Sequence, residues 1–439
     1  MYLYVHIPFC KSKCSYCDFF SVPLAARSRI PDSYMDALLN EAAYRKYLHG
    51  ISEWSSIYVG GGTPGLLSPV QLKRLLEGLY KLCPPKAEAE ITLEVNCADI
   101  AEKGPDGVCS YLEKASEAGI NRISAGIQTF NDDVLRLMGR RSSPEQIKGA
   151  LENLQQWRKN GQKTSRSLAG TSPDFRSGAS LASLGRRFSC DLIAGLPRLS
   201  TDDFCSGLRE LLSYEPDHIS LYSLMIETGT PLEKQISDGL IARDEDTADE
   251  QWLLGRGILE KAGYIQYEVS NFAKKGFESV HNRAYWRMED YIGLGAAAVG
   301  TVGSVRYTGT HDIKAYTDFW TGLKNGTSAA AFLPPAFRAA VSGQAAQSFV
   351  IPESVSALEH ISQDEAITEF LMMGFRMLEG VNDAEFKKRF GRELTDFIEP
   401  VFTCWQKRAL AETDGKAYRL TKEGLLFLNE FLVQIAAIR

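Results

Sequence analysis

The sequence predicts an α/β fold: a parallel sheet of six β-α repeats, doubly wound or rolled into a partial (β/α)6 barrel, followed by a winged-helix-like α+β module. Three observations lead there. From residue 1 to about 224, short β-rich runs alternate with amphipathic stretches of helical length. Such alternation buries its apolar faces as a parallel sheet with helices packed outside. After residue 350 the pattern changes to helices and then a hairpin signal.

Taken in order, the strands fall at residues 2–7, 56–59, 89–95, 121–127, 188–194 and 218–224. Helices are expected at 32–48, 69–82, 106–118, 132–138, 144–159 and 202–214. Asp32 and Ser68 are read as N-caps, and Pro69 suits a first helical position. In parallel sheets of this kind the chemistry lies at the C-terminal ends of the strands. Residues 1–225 are therefore assigned to the barrel and 226–325 to an extension of it. Residues 161–187, rich in Ser, Gly and Arg, read as a mobile insertion because they lack apolar periodicity. The Ala-rich stretch with Pro334-Pro335 makes residues 326–350 a linker, and residues 351–439 form the C-terminal module. Within it, helices are expected at 364–379 and 383–397, the second capped by Asn382. Asp414-Gly415 is a hairpin turn before a last amphipathic helix.

The 439 residues carry 49 basic against 55 acidic side chains, a net charge of -6. That balance, and a C-terminal tail of mixed sign, argues against nucleic-acid binding, which needs a basic face. No apolar run reaches the ~18 residues that cross a bilayer. The opening MYLYVHIPFC lacks the basic region of a signal peptide. The expectation is a soluble, cytoplasmic protein that is not integral to a membrane.

Nine cysteines in a chain this long make no disulfide framework. Cys83, Cys97, Cys109, Cys190, Cys205 and Cys404 are scattered and read as small buried apolar residues. Cys10, Cys14 and Cys17 are different: they form a C-x3-C-x2-C cluster directly after the first strand. Thiolates suit zinc or an iron–sulfur cluster. Structural zinc wants a fourth ligand; no fourth Cys lies nearby, and His6 sits within the strand. Three thiolates on a 4Fe-4S cubane leave one iron open, where an electron-transfer ferredoxin would supply a fourth Cys. The spacing favours the cluster. Next, Gly60-Gly61-Gly62-Thr63-Pro64 closes the second strand. Without side chains its backbone can approach a ligand closely, although a tight β-α turn looks the same.

The cluster spacing, with Tyr16 just before the third cysteine, resembles that of the radical S-adenosylmethionine superfamily. The text YVHIPFC and CSYCDF is similar to the subgroup of oxygen-independent coproporphyrinogen III oxidases and related heme chaperones. The similarity spans most of residues 1–325 except 161–187, and resumes in the C-terminal module. It implies that Cys10, Cys14 and Cys17 hold a 4Fe-4S cluster and that S-adenosylmethionine binds beside it for one-electron cleavage. It further implies that Gly60, Gly61, Gly62 and Thr63 meet the methionine amino group. Glu94 would reach the same ligand, Gln128 its ribose, Arg140 its carboxylate, and Asp191 its sugar. Tyr4, six residues before Cys10, and Tyr16 are expected on the cluster side.

Two features separate the members of that subgroup. The oxidases carry one more Cys two residues after the third, where this chain has Phe19. His281-Asn282-Arg283-Ala284-Tyr285-Trp286 is similar to the chaperones' H-N-x-x-Y-W motif. The resemblance implies that His281 is an axial heme ligand, with Tyr285 and Trp286 stacking on the porphyrin. The expected function is a heme chaperone whose partners are heme, recipient hemoproteins and an electron donor; the alternative is propionate decarboxylation by a coproporphyrinogen oxidase. Arg141-Ser142-Ser143 and the Gly-rich stretch 293–300 depart from the subgroup, each lacking a His found in related chains.

Overall fold

A computed structural model of the chain describes residues 1–101, 104–168, 185–322 and 351–438. Six parallel strands stand where the β-rich runs predict them. They are β1 (Tyr2–Ile7), β2 (Trp54–Gly61), β3 (Pro85–Asn96), β4 (Arg122–Gln128), β5 (Arg187–Ala194) and β6 (His218–Ser223). Beyond them come β7 (Ile265–Gln266), β8 (Asn271–Ala273), β9 (Tyr291–Leu294), β10 (Val299–Val302), β11 (Val305–Gly309) and β12 (Ser356–His360). All join one sheet in the order β12-β11-β10-β9-β1-β2-β3-β4-β5-β6-β8-β7. From β9 through β1 to β6 the pairing is parallel; the outer strands are antiparallel. The order has two ends, so the barrel stays open.

Alternation along these strands decides what faces where. Leu3, Val5, Ile57, Val59, Ile91, Leu93 and Ile123 are fully buried beneath the outer helices. Their neighbours, including His6, Tyr58, Glu94 and Ser124, point inward. The register sets the inward residues side by side: Glu94 pairs with Ser124, Ser124 with Ser189, Gly126 with Asp191, and Asp191 with Ser220.

The helices follow prediction closely, with instructive exceptions. Pro69–Leu82 is held by the Ser68–Gln71 capping box. Asp32 is not an N-cap: it is the first residue of Asp32–His49, Pro31 holds the cap position, and the Asp32 carboxylate accepts from Gln71 Nε2 at 2.8 Å. The helix Pro144–Leu168 continues eight residues past 160, through the first part of the expected insertion, and Arg187 already belongs to β5. The rest of that insertion and the linker at 326–350 lie largely outside the described residues. The boundary at 351 is also displaced, because β12 pairs with β11 and so belongs to the barrel sheet.

The C-terminal module therefore begins at the helix Gln363–Gly374, whose capping box joins Ser362 and Glu365. It ends short of the predicted residue 379. The next predicted helix splits into Asp383–Phe390, capped by Asn382, and Thr395–Ile398, because Gly391 stops the first in the left-handed conformation at φ 68°. The strands Val381–Asn382, Ala411–Thr413 and Ala417–Leu420 form a small sheet with its hairpin at Asp414-Gly415, and the helix Leu428–Ala437 follows. Of the scattered cysteines, Cys83, Cys97, Cys190 and Cys205 are buried as expected, but Cys404 is exposed on the helix Val401–Lys407; Cys109 lies outside the described side chains.

The module has its own core, centred on Phe375, Phe386, Phe402, Trp405 and Phe431. Trp405 is wholly buried against Phe431. Replacing Trp405 by Ala should cost ~3–5 kcal/mol of module stability, read as a lowered midpoint in chemical denaturation.

Candidate functional site

The chain leaves β1 at Ile7 and turns through Cys10 into an exposed loop carrying Cys14 and Cys17. Backbone bonds fix this loop. Leu24 N donates to Cys10 O at 2.7 Å, Cys17 N to Cys14 O at 3.3 Å, and Ser15 N to Met138 O at 3.0 Å. Lys11 adds an ion pair with the buried Asp99 at 3.1 Å, and the same carboxylate takes Arg141 at 2.6 Å. The three thiols line one cavity together with Tyr16, Gly61, Gly62, Thr63, Glu94, Gln128, Arg140 and Asp191. Eleven of the predicted site residues thus meet at one place, at the C-terminal ends of the strands.

Close approach explains the glycines. Gly61 has φ 114°, and a Cβ there would stand 2.4 Å from His6 Nδ1. A Cβ on Gly62 would stand 2.7 Å from Phe9 O and 3.0 Å from Cys10 Sγ. The turn is sewn to the cysteine loop by Gly62 N donating to Ile7 O and Thr63 N to Phe9 O, while Thr63 Oγ1 lies 3.5 Å from Cys10 Sγ. No side chain fits between the two segments.

Each polar residue at the strand ends has a distinct setting. Glu94 accepts from Tyr58 OH at 2.6 Å and from Gly61 N at 3.0 Å. Burial nevertheless pushes its carboxyl up to about 7. Gln128 sits at φ 70° beside a register shift between β4 and β5, a strained conformation of the kind that concentrates at functional sites. Arg140 donates to Gly126 O at 2.7 Å and lies 3.6 Å from Cys14 Sγ, while its buried Nε has no partner. Burial raises the Asp191 carboxyl, and Ser220, Arg122 and Arg140 oppose that rise. Burial also lifts the Cys17 thiol to about 11, a rise that the charge of a bound metal would oppose.

Three predicted residues, Tyr4, Gly60 and His281, do not line that cavity; Gly60 lies in β2 beside His6 of β1, where a Cβ would stand 2.8 Å from the Tyr58 ring and 3.0 Å from Glu94 Oε2. Tyr4 does not reach the cysteine cavity: its OH meets His6 Nδ1 at 2.9 Å and its ring stacks on Tyr58. His6 is no metal ligand either, since its Nε2 is taken by Phe20 O at 2.9 Å. Tyr4 and His6 line a second cavity of about 480 Å³ inside the barrel with Phe19, Phe20, Tyr58, His281, Tyr285, Tyr291 and His311. Asp18, Phe19, Gly61 and Glu94 line both cavities and are the wall between them.

His281 lies in that second cavity but is not presented as a free ligand. It is 2% exposed, with Nδ1 at 2.8 Å from Ser56 Oγ and Nε2 at 3.0 Å from Tyr285 OH. Burial pulls its pKa down to about 3, so the ring is neutral. Its helix, Val280–Trp286, puts Tyr285 into the cavity and Trp286 on the opposite side, beneath Arg376 of the module at 4.6 Å. Tyr285 and Trp286 therefore cannot flank one porphyrin as a pair. Tyr58, Ser56, Phe20 and His311 were not signalled by any motif; only the period-two polar positions in the strands point to Ser56 and Tyr58.

Residues 4–168 match the radical SAM superfamily and residues 361–427 the HemN C-terminal domain. The solved structure of coproporphyrinogen III oxidase, HemN, from Escherichia coli superposes with a TM-score of 0.71 over 99% of this chain and 89% of that one. At 21% identity that likeness shows the fold alone. A three-thiol loop at the mouth of a partial barrel, joined to this C-terminal module, defines a radical SAM protein of the HemN kind. Heme chaperone HemW of Bacillus subtilis is 29% identical over 431 residues, 97% of both chains, and HemW of Escherichia coli 36% over 302 residues, 68% of this chain and 70% of its own. The chain belongs to the HemW family.

The superfamily's cofactors are a 4Fe-4S cluster and S-adenosylmethionine, and the residues fit both. Three thiols face one cavity, a side-chain-free cradle lies against Cys10, and the unpartnered Arg140 Nε waits beside them.

Single Cys10→Ser, Cys14→Ser or Cys17→Ser variants should fail to assemble the cluster on anaerobic reconstitution, measured as bound iron and visible absorbance. Glu94 gives a pH signature in the ligand-free chain. Its folded pKa, about 7, lies above its ordinary 4.5, so the folded state holds the extra proton between those values and stability falls as pH rises through that window. Glu94→Gln should flatten that slope in denaturation curves recorded from pH 4 to pH 8.

Proposed function

We propose that this protein binds heme and delivers it to recipient hemoproteins, with a 4Fe-4S cluster and S-adenosylmethionine as resident cofactors. The observation that carries the reading is the second cavity. It is walled by Tyr58, Phe20, Tyr285 and Tyr291, contains three histidines, and shares Glu94 and Phe19 with the cysteine cavity. Aromatic walls suit a flat macrocycle, and the shared wall brings whatever fills one cavity against whatever fills the other. The names of the relatives from Bacillus subtilis and Escherichia coli, both heme chaperones, support it.

In this reading Cys10, Cys14 and Cys17 would hold the cluster, with S-adenosylmethionine beside it in the same cavity. When bound, the pair supplies one-electron chemistry. The chain positions it. The glycine turn would let backbone groups approach the amino group, Arg140, whose Nε has no partner, would take the carboxylate, and Gln128 and Asp191 would serve the ribose. Tyr58 fixes the Glu94 carboxylate where the two cavities meet. An electron donor approaches from the exposed loop, and the protein acts in the cytoplasm; no helix among the described residues is long and apolar enough to cross a membrane.

The HemN-like fold favours a second reading, coproporphyrinogen oxidation. Phe19 weighs against it, because this exposed aromatic residue stands where the oxidases carry their additional Cys. Hemin added to the purified protein should give a saturable Soret band, and the loaded protein should convert an apo-hemoprotein to its holo form. The same preparation, reduced anaerobically with coproporphyrinogen III, should yield no sustained protoporphyrinogen; turnover there would overturn the choice.

A further inference from the structure

Three histidines line the second cavity, and they are not equivalent. His6 has Nδ1 on Tyr4 OH and Nε2 on Phe20 O. His281 has Nδ1 on Ser56 Oγ and Nε2 on Tyr285 OH. Both are buried, and a ligand at either would have to break a bond and leave its buried partner unsatisfied, at a cost of ~1–3 kcal/mol. His311 is exposed, and among the described residues neither of its ring nitrogens has a hydrogen-bond partner. Its ring stands edge-on to Phe20, 5.0 Å between centroids.

The backbone around His311 is fixed although its side chain is free. Thr310 N donates to Val355 O at 2.9 Å, Ala297 N donates to Thr310 O at 2.9 Å, and Asp312 caps the helix Ile313–Thr321 by accepting from Ala315 N. Phe20, its ring partner, is held in turn because its carbonyl accepts from His6 Nε2 at 2.9 Å. Phe19, 65% exposed, stands at the same mouth. A pinned backbone, a free imidazole and two phenyl rings at an opening make a preorganised site for a planar, iron-containing aromatic ligand.

We propose that His311, and not His281, is the axial ligand through which the second cavity takes the iron of a heme, with His281 acting as a positioning residue that holds Tyr285. The proposal rests on the heme-chaperone reading. Imidazole nitrogen donates its lone pair to iron without a change of oxidation state, displacing at most a water.

The test is hemin titration of full-length wild type, His311→Ala and His281→Ala, read by absorbance and by EPR of the ferric complex, with metal-free protoporphyrin IX as a second probe. His311→Ala should weaken hemin binding about tenfold or more, ~1.4 kcal/mol per tenfold, and change the spin-state signature, and added imidazole should restore that signature. Binding of metal-free protoporphyrin IX should be unaffected, since it has no iron to ligate. Wild-type spectra in His311→Ala, or loss of the axial signature in His281→Ala alone, overturns the assignment. Failure of the wild type to bind hemin overturns the chaperone reading beneath it and is distinguishable from either.

Discussion

The inner face of the barrel is polar, and everything else in the molecule is arranged around that constraint. Strands buried in parallel sheets are usually apolar on both faces. Here most inward positions, among them His6, Ser56, Tyr58, Glu90, Thr92, Glu94, Arg122, Ser124, Ser189, Asp191, His218 and Ser220, carry a polar side chain, and each buried one is costly unless paired. Many are paired, although His218 Nδ1, Glu90 Oε2 and Arg140 Nε are buried without a hydrogen-bond partner. Ser124 Oγ meets Ser189 Oγ at 2.9 Å, His218 Nε2 meets Tyr267 OH at 2.8 Å, and Arg122 faces Glu90 at 3.8 Å. Glu90 reaches outward as well, accepting from Ser279 Oγ and His281 N. The interior network thereby determines where the helix Val280–Trp286 sits, and with it which side chains reach the second cavity.

A second consequence is that the cysteine loop and the barrel are a single construction. The loop is stitched to the glycine turn by backbone bonds, and the contact is too tight for any side chain. Glu94 and Tyr58 stand where that turn meets both cavities. The site for the cluster is therefore set by strand ends and not by the exposed loop alone, which agrees with the general placement of chemistry in parallel α/β sheets.

Much of this was legible in the sequence because it depends on local signals. All six strands appear where β-branched and apolar runs lie, and the cysteine spacing and glycine run point directly to the cavity they share. What escaped depends on partners distant in sequence. The engagement of His281 is fixed by Ser56, 225 positions away, and no motif records it. Tyr4 was assigned to the cluster by its nearness in sequence, but strand alternation turns it into the neighbouring cavity. The extension of Pro144–Leu168 was hidden by a Ser- and Arg-rich composition that carries little helical periodicity. Strand β12 was assigned to the module because it follows the linker, yet its hydrogen bonds go back to the barrel.

The helix Val280–Trp286 has two clients. On one side it presents His281 and Tyr285 to the barrel; on the other, Arg283 and Arg287 grip Glu379 at 2.7 Å each, and Trp286 lies under Arg376. Arg389 closes the seam by donating to Met288 O at 2.9 Å. The C-terminal module is consequently no detachable appendage. A chain cut ahead of it would leave an indole and two guanidinium groups without counterparts, and would loosen from behind the short helix that furnishes one wall of the inner chamber.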